Sequence, residues 1–259
     1  MDSVQLDDNV LAYALSGADN AKTLMFSNSL GTSADLWAGQ ERCFGADYRV
    51  LRYDTRGHGK SQAQPGSLSI DQLGTDVLRL LDFLGIERVS FCGISMGGLI
   101  AQWLGIHAAD RIDKLVLCNT AARIGNTQAW MERAALVRQQ GMTPVVEGAL
   151  SRWFTASFQT THAQESQRIL NMLRTTDAEG YAACCEAIAH ADFGDKLQQI
   201  KAPTLVIAGV HDPVTTVDDA DAMASRIPNC ARADLDASHI SNVEAEQAFN
   251  SALAAHLAK

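Results

Sequence analysis

Val89-Ser90-Phe91-Cys92-Gly93-Ile94-Ser95-Met96-Gly97 is an apolar strand run that ends in the pattern G-x-S-x-G. Such a pattern marks a turn that thrusts a serine out between a strand and a helix. Glycine stands on either side because the turn leaves no room for a Cβ. Leu99, Ile100, Trp103, Leu104 and Ile106 follow at helical spacing. The strand, turn and helix that the motif requires are therefore all present in the sequence.

A serine hydroxyl is a poor nucleophile near neutral pH. It needs an imidazole within hydrogen-bond reach and a carboxylate that holds the imidazole in the right tautomer. Asp212 follows the apolar run Thr204 to Ala208 in Gly209-Val210-His211-Asp212-Pro213, at the end of a candidate strand, and is the best acid candidate. His239 lies in Ala237-Ser238-His239-Ile240-Ser241, just ahead of a last helix continued by Phe249, Leu253 and Leu257. Ser241 and Glu244 are placed to open that helix as a capping box. The order Ser, Asp, His, each after a strand, is that of one known scaffold. The other six histidines fit ordinary structural roles. His58 sits in a glycine turn, His211 beside the acid, and His107, His162, His190 and His256 on helical segments.

Further strand candidates flank the motif: Val10 to Leu15, Thr23 to Ser27, Arg49 to Tyr53 and Lys114 to Cys118. Helical patterns separate most of them, and Ser69 to Leu84 is the clearest. Ile70, Leu73, Val77, Leu80, Leu81 and Leu84 form its stripe, Ser69 and Gln72 a capping box, and Gly85 the stop. Alternating strands and helices imply an α/β fold, a mostly parallel sheet covered on both faces, with ligands at the carboxyl ends of the strands. From about Ala121 to Asp192 the alternation lapses into helix alone, which reads as an insertion. It carries Trp130, Trp153, Phe154, Phe158 and Tyr181, with six arginines and no lysine, a composition suited to a lid over an anionic organic ligand.

With 259 residues, 47% of them apolar, the chain can bury about 73% of its surface around one core. Its formal charge of −9 repels polyphosphate and anionic membrane surfaces, so neither nucleic acid nor membrane is an expected partner. Met1 to Asp8 has no basic start followed by an apolar run, no apolar stretch reaches about 18 residues, and the six cysteines form no C-x-x-C pair. Buried free thiols in a reducing cytoplasm are the expectation. Gly59-Lys60-Ser61 ends like a phosphate loop, but Asp54 stands where that loop needs glycine. No metal-ligand spacing or dinucleotide fingerprint occurs, so no cofactor is expected.

The chain resembles the α/β-hydrolases over its whole length. Asn28-Ser29-Leu30-Gly31, Asp54-Thr55-Arg56-Gly57-His58-Gly59-Lys60-Ser61 and the serine turn carry the likeness. Within that superfamily it is most similar to the 3-oxoadipate enol-lactonases, through Asn119-Thr120-Ala121-Ala122-Arg123-Ile124-Gly125, Gly180-Tyr181-Ala182-Ala183-Cys184-Cys185, Ala191-Asp192-Phe193 and His239-Ile240-Ser241-Asn242-Val243-Glu244. The resemblance implies a mostly parallel eight-stranded sheet flanked by helices. It also implies a core of residues 1–120 and 193–259, with residues 121–192 as a helical cap after the sixth strand. Ser95 would be the nucleophile, His239 the general base and acid, Asp212 the orienting carboxylate, and the Leu30 and Met96 amides the oxyanion hole. The implied substrate is a small anionic lactone, with Trp130 as a wall and Arg133, one helical turn on, as the cation for its carboxylate. A homo-oligomer is compatible with this reading. Alternatives on the same three residues are an esterase with perhydrolase activity, a carbon–carbon bond hydrolase, or a ligand-sensing receptor with slow turnover.

Overall fold

Parallel strands buried on both faces read as continuous apolar runs, and five such runs stand side by side in this molecule. The computed structural model describes residues 1–6, 9–18, 21–62 and 66–259. Its strands are β1 (Asp2–Leu6), β2 (Asn9–Gly17), β3 (Thr23–Ser27), β4 (Arg49–Tyr53), β5 (Val89–Ile94), β6 (Ile112–Cys118), β7 (Thr204–Gly209) and β8 (Cys230–Leu235). They form one sheet in the order β1-β2-β4-β3-β5-β6-β7-β8. The β1–β2 and β2–β4 pairs are antiparallel and every other pair is parallel.

The helices are α1 (Ala38–Phe44), α2 (Ile70–Phe83), α3 (Met96–His107), α4 (Thr127–Gln140), α5 (Thr143–Val146), α6 (Ala149–Trp153), α7 (Ala156–Thr161), α8 (Ala163–Thr175), α9 (Ala178–Ala189), α10 (Val217–Ala224), α11 (Ser241–Glu244) and α12 (Glu246–Leu257). None is long and apolar enough to cross a membrane, among the described residues. Between β6 and β7 the chain makes six helices, α4 to α9, where the sequence shows helical spacing alone. Their buried side chains, among them Val137, Phe158, Ile169 and Leu173, join the same apolar core as the sheet. Gly180 on α9 passes so close to Gly57 that a Cβ there would lie 2.4 Å from the Gly57 Cα, which seats α9 directly on the loop after β4.

Register lines up the chemistry. Ser27 pairs with Gly93, Ile94 with Cys118, Cys118 with Ile207, and Gly209 with Leu235. The carboxyl ends of β3, β5, β6, β7 and β8 therefore lie in one row. β3 sits between β4 and β5, so the chain direction across the sheet reverses there, and the loops after β3 and β5 adjoin.

Four sequence expectations need correction or extension. β1 and β8 lack an apolar run, because β1 buries only Val4 and Leu6 and β8 only Leu235. Ser241 and Glu244 do not form a capping box. The chain breaks at Ala245 into α11 and α12, Ser241 Oγ donates to Asn119 Oδ1 at 2.5 Å, and the Glu244 carboxylate is taken by Ser238 and Thr155. Of the six free cysteines four are buried, Cys230 is half-buried and Cys43 is exposed.

The box at α2 does form. Gln72 N–H donates to Ser69 Oγ at 3.2 Å and Ser69 N–H to Gln72 Oε1 at 2.9 Å. Ser69→Ala should cost about 1 kcal/mol, lowering the midpoint of thermal unfolding by roughly 2–4 °C. An unchanged midpoint would show that the box contributes nothing.

Candidate active site

Ser95 has φ 56° and ψ −114°, between the last residue of β5 and the first of α3. Such a backbone is strained for any residue with a Cβ, and it persists only where the surroundings over-determine it. Ser95 N–H donates to Cys118 O at 3.0 Å, Thr120 Oγ1 donates to Ser95 O at 2.8 Å, and Gly97 N–H donates to Asn28 O at 3.0 Å. The flanking glycines are demanded by close approach. A Cβ at Gly93 would lie 2.0 Å from Gly97 O, and one at Gly97 would lie 2.3 Å from Ser27 O.

Two loops further along the row, Asp212 Oδ2 lies 2.7 Å from His239 Nδ1. The carboxylate also accepts from Asn119 Nδ2 at 3.0 Å, Thr215 Oγ1 at 2.8 Å, and the amides of Val214 at 2.7 Å and Thr215 at 3.2 Å. Burial alone would raise the pKa of Asp212. The charge and hydrogen bond of His239, with the donors from Asn119 and Val214, outweigh it and hold the carboxyl below its ordinary value. An ionised carboxylate only accepts, so the proton of a neutral His239 ring sits on Nδ1 and Nε2 keeps its lone pair. Asn119, at φ 40°, joins the three loops. Besides Asp212, it donates to Ser238 O at 3.1 Å and accepts from Ser241 Oγ.

Ser95 and His239 line the same cavity, of about 260 Å³, together with Leu30, Trp130, Arg133, Arg152, Trp153, Leu173 and Tyr181. A larger groove of about 900 Å³ lies outside, between α1, α8 and α11, and contains none of Ser95, Asp212 or His239. Arg133 stacks over the Trp130 ring at 4.6 Å, and Trp130 Nε1 donates to Ile124 O at 2.6 Å. Neither Arg133 nor Arg152 has an acidic partner among the described residues; Glu132, the neighbour of Arg133, accepts instead from Gln128. Burial, then the like charge of Arg133, pulls the pKa of Arg152 down. Burial pushes the Tyr181 phenol up and keeps it protonated, although both arginines act against that rise. Two guanidinium groups without a counter-ion in a mostly apolar cavity are an arrangement that can receive an anion.

A model of the alpha/beta hydrolase fold family matches residues 22–246. The chain belongs to the α/β-hydrolase family. It is 49% identical to 3-oxoadipate enol-lactonase 2 of Acinetobacter baylyi over 98% of this chain and 95% of that protein. The crystal structure of the enol-lactonase from Burkholderia xenovorans superposes with a TM-score of 0.98, at 42% identity and full coverage of both chains. A thermophilic esterase from Thermogutta terrifontis, solved with malate bound, superposes at 0.94 with 26% identity, over 99% of this chain and 98% of that one.

In this α/β-hydrolase, Leu30 and Met96 stand where the loops after β3 and β5 adjoin. Neither amide has an acceptor among the described residues, which leaves both donors available to a ligand. Three residues without a sequence-assigned role support the site: Asn119 at the junction of loops, Arg152 in the cavity wall, and His58. The positions of Asn119 and Arg152 gave a signal, since one ends a strand and the other is a lid arginine. His58 gave none. Gly31 N–H donates to His58 Nε2 at 2.9 Å, and His58 Nδ1 donates to Arg56 O at 2.9 Å, so a buried neutral ring holds the loop that carries Leu30.

Burial pulls the pKa of His58 below its ordinary value, against the bond to Arg56. From about pH 6.5 downward the unfolded chain takes up a proton that the native ring refuses, so this group's contribution to stability is lost as pH falls. His58→Gln should flatten the fall in stability between about pH 7 and 5 by up to about 1.4 kcal/mol per pH unit. Urea unfolding across that range measures it, and parallel curves for the two proteins would contradict the assignment.

Proposed function

We propose that this α/β-hydrolase opens the lactone ring of 3-oxoadipate enol-lactone to 3-oxoadipate, through an acyl-enzyme on Ser95, in the breakdown of aromatic compounds. The observation that carries the reading is the pair of guanidinium groups without an acidic partner, Arg133 and Arg152, in the cavity that also holds Ser95 and His239. The substrate is an ester ring with a free carboxylate, and that cavity offers a nucleophile and a cationic wall together. The likeness to the enol-lactonases of A. baylyi and B. xenovorans supports it.

In this mechanism His239 Nε2 takes the Ser95 hydroxyl proton as Oγ attacks the ring carbonyl. The oxyanion is received by the Leu30 and Met96 amides, each worth about 3 kcal/mol in the transition state. The ring C–O bond breaks, the enolate leaves, and the proton held by His239 brings it to the ketone. Water, deprotonated by the same imidazole, then hydrolyses the acyl-enzyme. An enolate leaves more readily than an alkoxide, so His239 is asked for less as an acid than in a simple ester hydrolase. Asp212 holds the tautomer and stabilises the imidazolium. Residues 121–192 serve as the lid that supplies the cationic wall, and the reaction takes place in the cytoplasm without a cofactor.

Ser95→Ala should abolish turnover of the lactone without changing the unfolding midpoint, while Asp212→Asn should lower kcat by about 10⁴ through the wrong tautomer. Substantial activity in Ser95→Ala contradicts the mechanism. Replacing Arg133 or Arg152 by Ala removes a charge-assisted hydrogen bond to the carboxylate. KM for the lactone should rise about 10-fold or more, against less than about 3-fold for a neutral aryl ester. Equal effects on the two substrates would remove the arginines from carboxylate recognition.

A further inference from the structure

Glu244 sits at the end of α11, where the sequence suggests a helix cap, yet its carboxylate points to other partners. Oε2 accepts from the amide of Ser238, the residue before His239, at 2.7 Å. Oε1 accepts from the Thr155 amide at 3.0 Å and from the Thr155 hydroxyl at 2.5 Å. Two more bonds join the same segments. Ser238 Oγ donates to Arg152 O at 3.1 Å, and Ile240 N–H donates to Trp153 O at 3.1 Å. The residues on either side of His239 are thus tied to segment 152–155, which lends Arg152 and Trp153 to the cavity wall.

We propose that Glu244 is a positioning residue whose carboxylate clips the His239 loop to segment 152–155, holding the imidazole in register with the wall that receives the substrate. The inference rests on the reading of His239 as the general base. Three donors from two segments converge on one side chain, and only a carboxylate can accept from all of them at once. Its bonds are charge-assisted, stronger than the neutral bonds around them. Glutamine keeps the size and packing but turns an NH₂ group toward one set of donors, so one arm of the clip is lost while the volume stays. A shift of about 1 Å in a reacting group can cost about 10²-fold in rate. The clip therefore acts on the chemical step, and a ligand that engages Arg152 is felt at His239 through the same bonds.

The test uses the full-length protein with a neutral aryl ester and a fluorophosphonate that labels an activated serine, so neither readout depends on the lactone. Glu244→Gln should lower kcat and the labelling rate together by about 10- to 100-fold, with KM within about 3-fold and the unfolding midpoint nearly unchanged. A space-filling role would move none of these. Thr155→Val removes the hydroxyl arm together with the cap that Thr155 Oγ1 gives the Phe158 amide at the start of α7; it should lower both rates by about 3-fold or more, where Ser157→Ala in the same helix should leave them unchanged, and it carries the test if Glu244→Gln does not fold. Folded variants that label and turn over within about 2-fold of wild type overturn the clip, provided that wild type labels and Ser95→Ala does not. A wild type that fails to label overturns the active-site reading itself, and this inference with it.

Discussion

The backbone of Ser95 governs the architecture of this site. Its positive φ is a conformation that costs on the order of 1–3 kcal/mol, and it is retained because three hydrogen bonds and three close approaches, two to backbone and one to the Thr120 side chain, leave the chain no alternative. Those bonds come from the loops after β3 and β6, so the strain at one residue dictates how three loops converge. Gly93, Gly97 and Gly98 follow from the same requirement. A Cβ at any of them would drive into Gly97 O, Ser27 O or the Thr120 side chain. Relaxing the turn would free Ser95 but would also break the bond from Gly97 N–H to Asn28 O, which ties in the loop that carries Leu30.

The central strands could be read from the sequence because burial on both faces writes them as apolar runs; β3 and β4 carry the expected bounds, and β5 and β7 extend past theirs only at the carboxyl end. The edges could not, since β1 and β8 bury too few side chains to leave a pattern. Ser95, Asp212 and His239 stand out for a different reason. Ser95 and Asp212 each follow an apolar run and His239 stands just ahead of the last helix; the fold bonds Asp212 to His239 and puts Ser95 and His239 on one cavity. Glu244 shows where local reading fails. Its spacing from Ser241 satisfies a capping box, but a partner 89 residues away in the chain offers two donors at once and wins. His58 illustrates the same limit. Its role lies wholly in bonds to Gly31 and Arg56 that the folded loops bring about, and nothing in its immediate neighbours announces it.

On the proposed function, recognition and chemistry draw on different groups of the cavity. The donors for a developing oxyanion would be the neutral Leu30 and Met96 amides, whereas the full positive charges sit on α4 and α6. A net charge of −9 does little against an incoming anion there, because exposed charges are screened over about 8 Å at physiological salt, while Arg133 and Arg152 line the cavity itself. Burial and the like charge of Arg133 pull the pKa of Arg152 down, and a bound anion would offset both. A carboxylate held there cannot compete with the reacting carbonyl for the amides, so its binding energy goes into orientation. Segment 152–155 is where the two functions touch, since it carries Arg152 into the cavity and shares hydrogen bonds with both neighbours of His239. On the proposed function, an anion bound at Arg152 would act through these bonds on the loop that carries His239, so that a group remote from the scissile bond could influence the step at Ser95.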